Sequence, residues 1–151
     1  MHIHFGEEAR HECPTLASDD ANRDGRLNTV EGQPAYGPIV VSLTTTGDTT
    51  PTSALALGRF PTSTGGKLNY SRDYIEFTDV ADAGEDNGPA TAKQIADAVR
   101  AGQGVVVIHG NDYNDYNDMY DFSVGESELD PTLPAEGTDP TACGVLKQDS
   151  R

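Results

Sequence analysis

The chain has 151 residues, enough for one domain with a real core, and its 16 glycines and 9 prolines point to abundant turns rather than long helices. A formal net charge of −15, from 25 acidic and 10 basic residues, argues against nucleic acid and anionic membrane as partners and suits cation binding or a saline exterior. No segment approaches the roughly 20 apolar residues of a membrane span.

Taken in chain order, the sequence opens at Met1 directly on HIHF, where His2 and His4 alternate along a predicted strand. Period-two geometry puts both imidazoles on one face, close enough to share a metal, although H-x-H is equally compatible with a hydrogen-bonded surface pair. His11 follows, then Cys13, the first of two cysteines. With Cys143 it would close, in an exported protein, a loop spanning most of the chain, worth about 4–5 kcal/mol; the alternative is two unpaired cytosolic thiols.

Residues Asp20 to Glu31, DANRDGRLNTVE, carry the spacing of an EF-hand-type calcium loop. Asp20, Asn22 and Asp24 stand at positions one, three and five, and Gly25 at six allows the sharp reversal. Arg26 at seven offers its backbone carbonyl, Asn28 at nine binds directly or through water, and Glu31 at twelve closes the shell. Such a dication takes about six or seven oxygens, which this stretch supplies; the alternative is an acidic Asn/Asp/Gly turn.

Strands are predicted at Ile39 to Thr45, Leu55 to Phe60, Tyr74 to Val80 and Val105 to His109, each rich in β-branched or aromatic residues and bounded by turn formers. One helix is predicted over Ala90 to Ala101, with Pro89 at its start and Gly102 past its end. His109 closes the VVVIH strand, and with His2 and His4 it makes a three-imidazole set suited to copper, zinc or iron, copper being favoured within the divalent series. The acidic Asp/Asn/Tyr stretch 111–122 offers Asp112, Asn114, Asp118 and Asp121 either to a second calcium or to solvent. The tail from Glu126 to Cys143 reads as a long ordered loop rich in proline and acid.

HIH, Cys13, VVVIHGNDYND and TACGVL, taken together, resemble the copper–zinc superoxide dismutase framework, and the rhythm of segments also resembles the related extracellular CHRD domain. The resemblance covers the two ends of the chain, whereas 32–102 matches poorly in detail. It implies a secreted Greek-key β-sandwich, mainly β with one short helix and long acidic loops. It further implies copper at His2, His4 and His109, with His11 a weaker fourth candidate, and a Cys13–Cys143 disulfide. Strands that the family places ahead of H-x-H are expected to precede Met1.

Departures from the family are equally specific. Asp19 and Asp20 stand where the bridging histidine would lie, no histidines remain for a zinc subsite, and residues 137–141 lack the family's anion-docking arginine. Arg10 is the nearest basic residue to H-x-H in sequence. The calcium loop falls where those relatives bind zinc, so the expectation is calcium in zinc's place. Three functions follow in order: an exported copper and calcium protein with superoxide dismutase-type activity, a non-catalytic calcium-stabilised extracellular module, and, with least support, a hydrolase. Neither G-x-S-x-G nor H-E-x-x-H occurs.

Overall fold

The computed structural model describes residues 1–115 and 120–149. Its centre is a four-stranded antiparallel sheet formed by β1 (His2–His4), β2 (Ile39–Ser42), β3 (Val105–His109) and β4 (Pro140–Val145), in the order β2-β1-β3-β4. Chain order and sheet order differ because β1 lies between two strands distant in sequence. This is the only sheet among the described residues.

Register divides the sheet into two unlike faces. Ile3 lies opposite Val41 and Val106. With Phe5, Val40, Leu43, Val80 and Ile95 they make the larger apolar core, against which Ile75 and Phe77 pack. His2 lies opposite Ser42 and Val107, and His4 opposite Val105. On that second face the buried Val105 and Val107 pack with Tyr36, while the imidazoles share the surface. The strict alternation of a strand therefore sends the apolar residue of HIH to one core and both histidines to the other face.

Four short helices surround the sheet: α1 (Leu16–Asp19), α2 (Thr29–Tyr36), α3 (Ala92–Ala98) and α4 (Ala135–Thr138). The expectation of one helix is thus corrected. The expected helix is α3, shorter than 90–101 because Thr91 and Gln94 form a capping box at its start, and a wider turn with Gly102 at φ +90° follows it. Helix α2 escaped notice because its own capping box is built from Asn28 and Glu31, both read as calcium ligands, and because Pro34 lies within it.

Two expected strands are also corrected. Leu57–Arg59 forms a 3₁₀ turn with Leu55 and Leu57 exposed, so that apolar run covers no core. The stretch 74–80 turns Ile75 and Phe77 onto the core as its alternation implies, but contributes only the Val80–Ala90 bridge. Strand β4 was hidden for the opposite reason. It begins at a proline and is largely exposed, as an edge strand can be, and carries no apolar alternation.

Cys13 and Cys143 are joined across 130 residues, as expected. The segment leading to Cys13 donates Arg10 N–H to Pro34 O and Glu12 N–H to Ala35 O, satisfying carbonyls at the end of α2. The bridge then fixes that segment to Cys143 beside Val107. Reduction, or the pair Cys13→Ser and Cys143→Ser, is expected to lower the unfolding free energy by up to about 5 kcal/mol. Urea denaturation with and without dithiothreitol measures this, and coincident midpoints would contradict a stabilising role for the bridge.

Candidate metal centre

The β1–β3 pairing builds the centre. His2 is paired with Val107, and His109 lies two residues further along β3, hence on the same face and next to His2. Ring centroids are 5.0 Å apart for His2 and His109, 5.7 Å for His4 and His109, and 5.9 Å for His2 and His4. One nitrogen of each ring lies within 4.8 Å of the other two. Among the described residues this is the only such convergence of His, Cys, Asp or Glu ligand atoms.

The remaining nitrogens are committed to main-chain carbonyls. His2 Nε2 faces Ala54 O at 3.0 Å, His4 Nδ1 faces Gly37 O at 2.8 Å, and His109 Nδ1 faces Thr138 O at 2.6 Å. A carbonyl only accepts, so each of these nitrogens carries the proton and its ring partner presents a lone pair. His2 Nδ1, His4 Nε2 and His109 Nε2 are the outcome, all buried and without a hydrogen-bond partner. Burial holds all three rings neutral: it pushes His4 down to about 3, His109 to about 4, and His2 well below its ordinary value.

The surroundings enforce this arrangement. Tyr36 packs edge-on against His4 at 4.4 Å and Phe60 against His2 at 5.2 Å. Gly37, at φ +85°, brings its carbonyl to His4 by passing so close to the Phe5–Gly6 peptide just past β1 that a β-carbon there would lie 2.6 Å from Gly6 N. Neutral rings, protonated away from the centre and walled by aromatics, form a donor set for a divalent transition metal.

His11 does not join them. Its ring stacks on Phe5 and its Nε2 meets Gly6 O at 2.8 Å, apart from the other three. Arg10 is held by Glu12 and by the buried Asp19 carboxylate.

Of the 20–31 stretch, 20–28 link α1 to α2, with Gly25 at φ +82°, and 29–31 are the first turn of α2. Asp20 accepts from Asp24 N–H and Gly25 N–H, Asn22 from Asp24 N–H, and Asp24 from Arg26 N–H. Glu31 Oε1 accepts from Ala21 and Asn22 N–H and its Oε2 from Asn28 N–H, while Asn28 returns the cap to Glu31 N–H. The six expected calcium-loop positions are thus drawn into one turn by side-chain to backbone bonds, and Asp20, Asp24 and Glu31 do not converge as the histidines do.

In the 111–122 stretch, Asp118 lies outside the described residues. Asp112 accepts from Asn114 and Asp115 N–H, and Asn114 donates to Asp121. Sequence reasoning missed the anchor of this loop, Glu136. Its fully buried carboxylate receives Tyr113 N–H, Asp121 N–H and Ser123 Oγ–H. It also missed Gly37, Ala54 and Thr138, since a carbonyl contact leaves no mark in residue type.

No family model matches the sequence, and no curated protein or solved structure matches the chain.

In the metal-free protein the three imidazoles have folded pKa values below the unfolded value near 6.5. As pH falls through about 6.5 the unfolded state takes up protons first, so stability is expected to decline toward about 4, where His109 begins to titrate. Denaturation of chelated protein near pH 7 and near pH 5 measures this. Equal stabilities would mean that the rings do not stay neutral.

Proposed function

We propose that the chain is an exported metal-binding domain. It holds copper through His2 Nδ1, His4 Nε2 and His109 Nε2, and carries superoxide dismutase-type activity there. The observation that carries the metal reading is the mutual convergence of three buried, unpartnered ring nitrogens. An unsatisfied buried acceptor costs about 1–3 kcal/mol, and one ion meets all three at once. Three neutral imidazoles and no carboxylate favour copper over magnesium or calcium.

Copper held by His2, His4 and His109 would supply one-electron redox chemistry, oxidising one superoxide to dioxygen and reducing a second, with two protons, to hydrogen peroxide. The protein fixes the donor rings, keeps them deprotonated toward the metal and limits solvent through Tyr36 and Phe60. The Cys13–Cys143 bridge is compatible with an oxidising compartment. On this reading the four-stranded sheet belongs to a Greek-key sandwich of the dismutase or CHRD kind. No described helix is long and apolar enough to cross a membrane.

Calcium at Asp20, Asn22, Asp24, the Arg26 carbonyl, Asn28 and Glu31 completes the proposal. Its support is the loop spacing together with the positive φ of Gly25 and the flanking helices. A second reading, a calcium-stabilised module with no turnover, is favoured by one observation: Arg10, the basic residue nearest the histidines in sequence, is spent on Glu12 and Asp19.

Purified protein is expected to bind one copper per chain and to consume superoxide, and His109→Ala is expected to lose both. Stoichiometric copper with no histidine-dependent turnover would select the non-catalytic module, and no copper binding would end the metal reading. Calcium is checked separately by thermal unfolding. At free calcium about 100-fold above Kd the folded state gains about 2.7 kcal/mol, and Asp24→Ala is expected to abolish the rise in midpoint. A midpoint indifferent to calcium and to chelator would remove the loop from the proposal.

A further inference from the structure

The peptide between Thr138 and Asp139, at the junction of α4 and β4, is gripped from several elements at once. Thr138 O accepts His109 Nδ1–H at 2.6 Å and Thr29 Oγ1–H at 2.8 Å, which fills both lone pairs of that carbonyl. Thr138 Oγ1 donates to Ser127 Oγ at 2.8 Å, and Asp139 O accepts Gly110 N–H at 2.9 Å. Asp139, fully buried, takes Arg26 Nη1–H at 2.6 Å and Tyr113 O–H at 3.1 Å on one carboxylate oxygen. Thr29 reaches the centre by a second route as well. Its main-chain carbonyl accepts the hydroxyl of Tyr36 at 2.8 Å, and Tyr36 is the ring that packs on His4.

One residue outside the ligand set thus touches what orients two of its three members. Thr29 opens α2, directly after the loop that carries Arg26, while His109 and Thr138 belong to the opposite end of the chain. The link between them is short and made of direct hydrogen bonds among largely buried groups, so Thr29 and His109 meet on a single carbonyl oxygen.

We infer that Thr29, backed by the Arg26–Asp139 pair, is a positioning residue for the metal centre: it holds the Thr138 carbonyl where His109 must keep its proton on Nδ1 and aim Nε2 at His2 and His4. The inference rests on the proposed binding of copper by these histidines for its consequence, but not for its geometry. Loss of the Thr29 hydroxyl frees one lone pair of Thr138 O and lets the carbonyl and the ring reorient together. Groups that orient a ligating histidine typically govern metal affinity by 10–100-fold, and Thr29, one bond further out, is expected at the low end, about 10-fold.

The test compares Thr29→Val, which keeps shape and loses the hydroxyl, with Thr29→Ser, which keeps the hydroxyl. Three quantities are read: the His109 tautomer in metal-free protein, from its imidazole nitrogen shifts, copper(II) affinity by chelator competition, and the electron paramagnetic resonance spectrum. Thr29→Val is expected to mix the tautomers, weaken copper about 10-fold and alter the copper hyperfine pattern, while Thr29→Ser behaves as the parent. A folded Thr29→Val with unchanged tautomer, affinity and spectrum overturns the inference. So does a Thr29→Ser that loses as much, because the hydroxyl would then be irrelevant. If Thr29→Val does not fold, Thr29→Ala, which also removes the hydroxyl, is read by the same three quantities and against the same criteria. If the parent binds no copper, the tautomer measurement alone decides the positioning role, and it is the metal reading that fails.

Discussion

Three imidazoles that each give one ring N–H to a main-chain carbonyl, and so must turn their lone pairs toward one another, impose the strongest constraint on this fold. Facing acceptors have nothing to gain from each other, and burial removes the water that would satisfy them. The arrangement depends on where the backbone places the three carbonyls. Gly37 is held against β1 by its positive φ, Ala54 ends a 3₁₀ turn, and Thr138 is fixed between α4 and β4. Much of what lies on that face of the sheet serves to keep these three oxygens in place. Helix α2 supplies Tyr36 and Thr29, and the disulfide ties the segment bound to the end of α2 back to β4.

What could be read from the sequence was whatever has a period or a fixed spacing. H-x-H placed two rings on one face because strand geometry leaves no choice, and VVVIH declared itself a strand ending in a histidine. That His109 arrives beside His2 depends on β1 lying between β2 and β3 in a particular register, and no local pattern carries that information. The same limit explains Arg26. At position seven of a calcium loop its side chain has no prescribed task, yet here it crosses 113 residues of sequence to a buried carboxylate. Asn28 and Glu31 illustrate a different difficulty. The spacing that closes a calcium loop is also the spacing of a capping box, and the two uses share atoms. The strands expected near 55–60 and 74–80 failed for want of partners: β-propensity selects residues that suit a ladder without supplying one.

Acidity serves the architecture before it serves any ligand. Asp19 collects Arg10, Thr15 N–H and Ser18 Oγ–H; Glu136 holds Tyr113 N–H, Asp121 N–H and Ser123 Oγ–H; Asp139 holds Arg26 and Tyr113. Each is a buried carboxylate held by charge-assisted hydrogen bonds, although on Asp139 both donors fall on one oxygen and the other has no partner. Burial raises the Asp139 carboxyl while Arg26 and Tyr113 oppose that rise, so the neighbours, rather than solvent, keep it in use as an acceptor.

Four of the arginines are spent in the same way, and this bears on what can reach the histidines. Arg10, Arg26, Arg59 and Arg72 are all engaged with carboxylates, hydroxyls or carbonyls of the chain itself, the last with Thr44 O and Tyr74 O. With only 10 basic residues against 25 acidic ones, little positive charge is left over to draw an anion inward. A field of this sign raises the local concentration of cations and lowers that of superoxide, and the effect shrinks as salt shortens the screening length. Electrostatics therefore favours delivery of a metal ion to the centre over delivery of an anionic substrate to a centre already filled. A dismutase built this way would have to rely on contact chemistry at the metal rather than on steering, with a rate that rises as ionic strength increases, the reverse of an enzyme that guides superoxide with arginine.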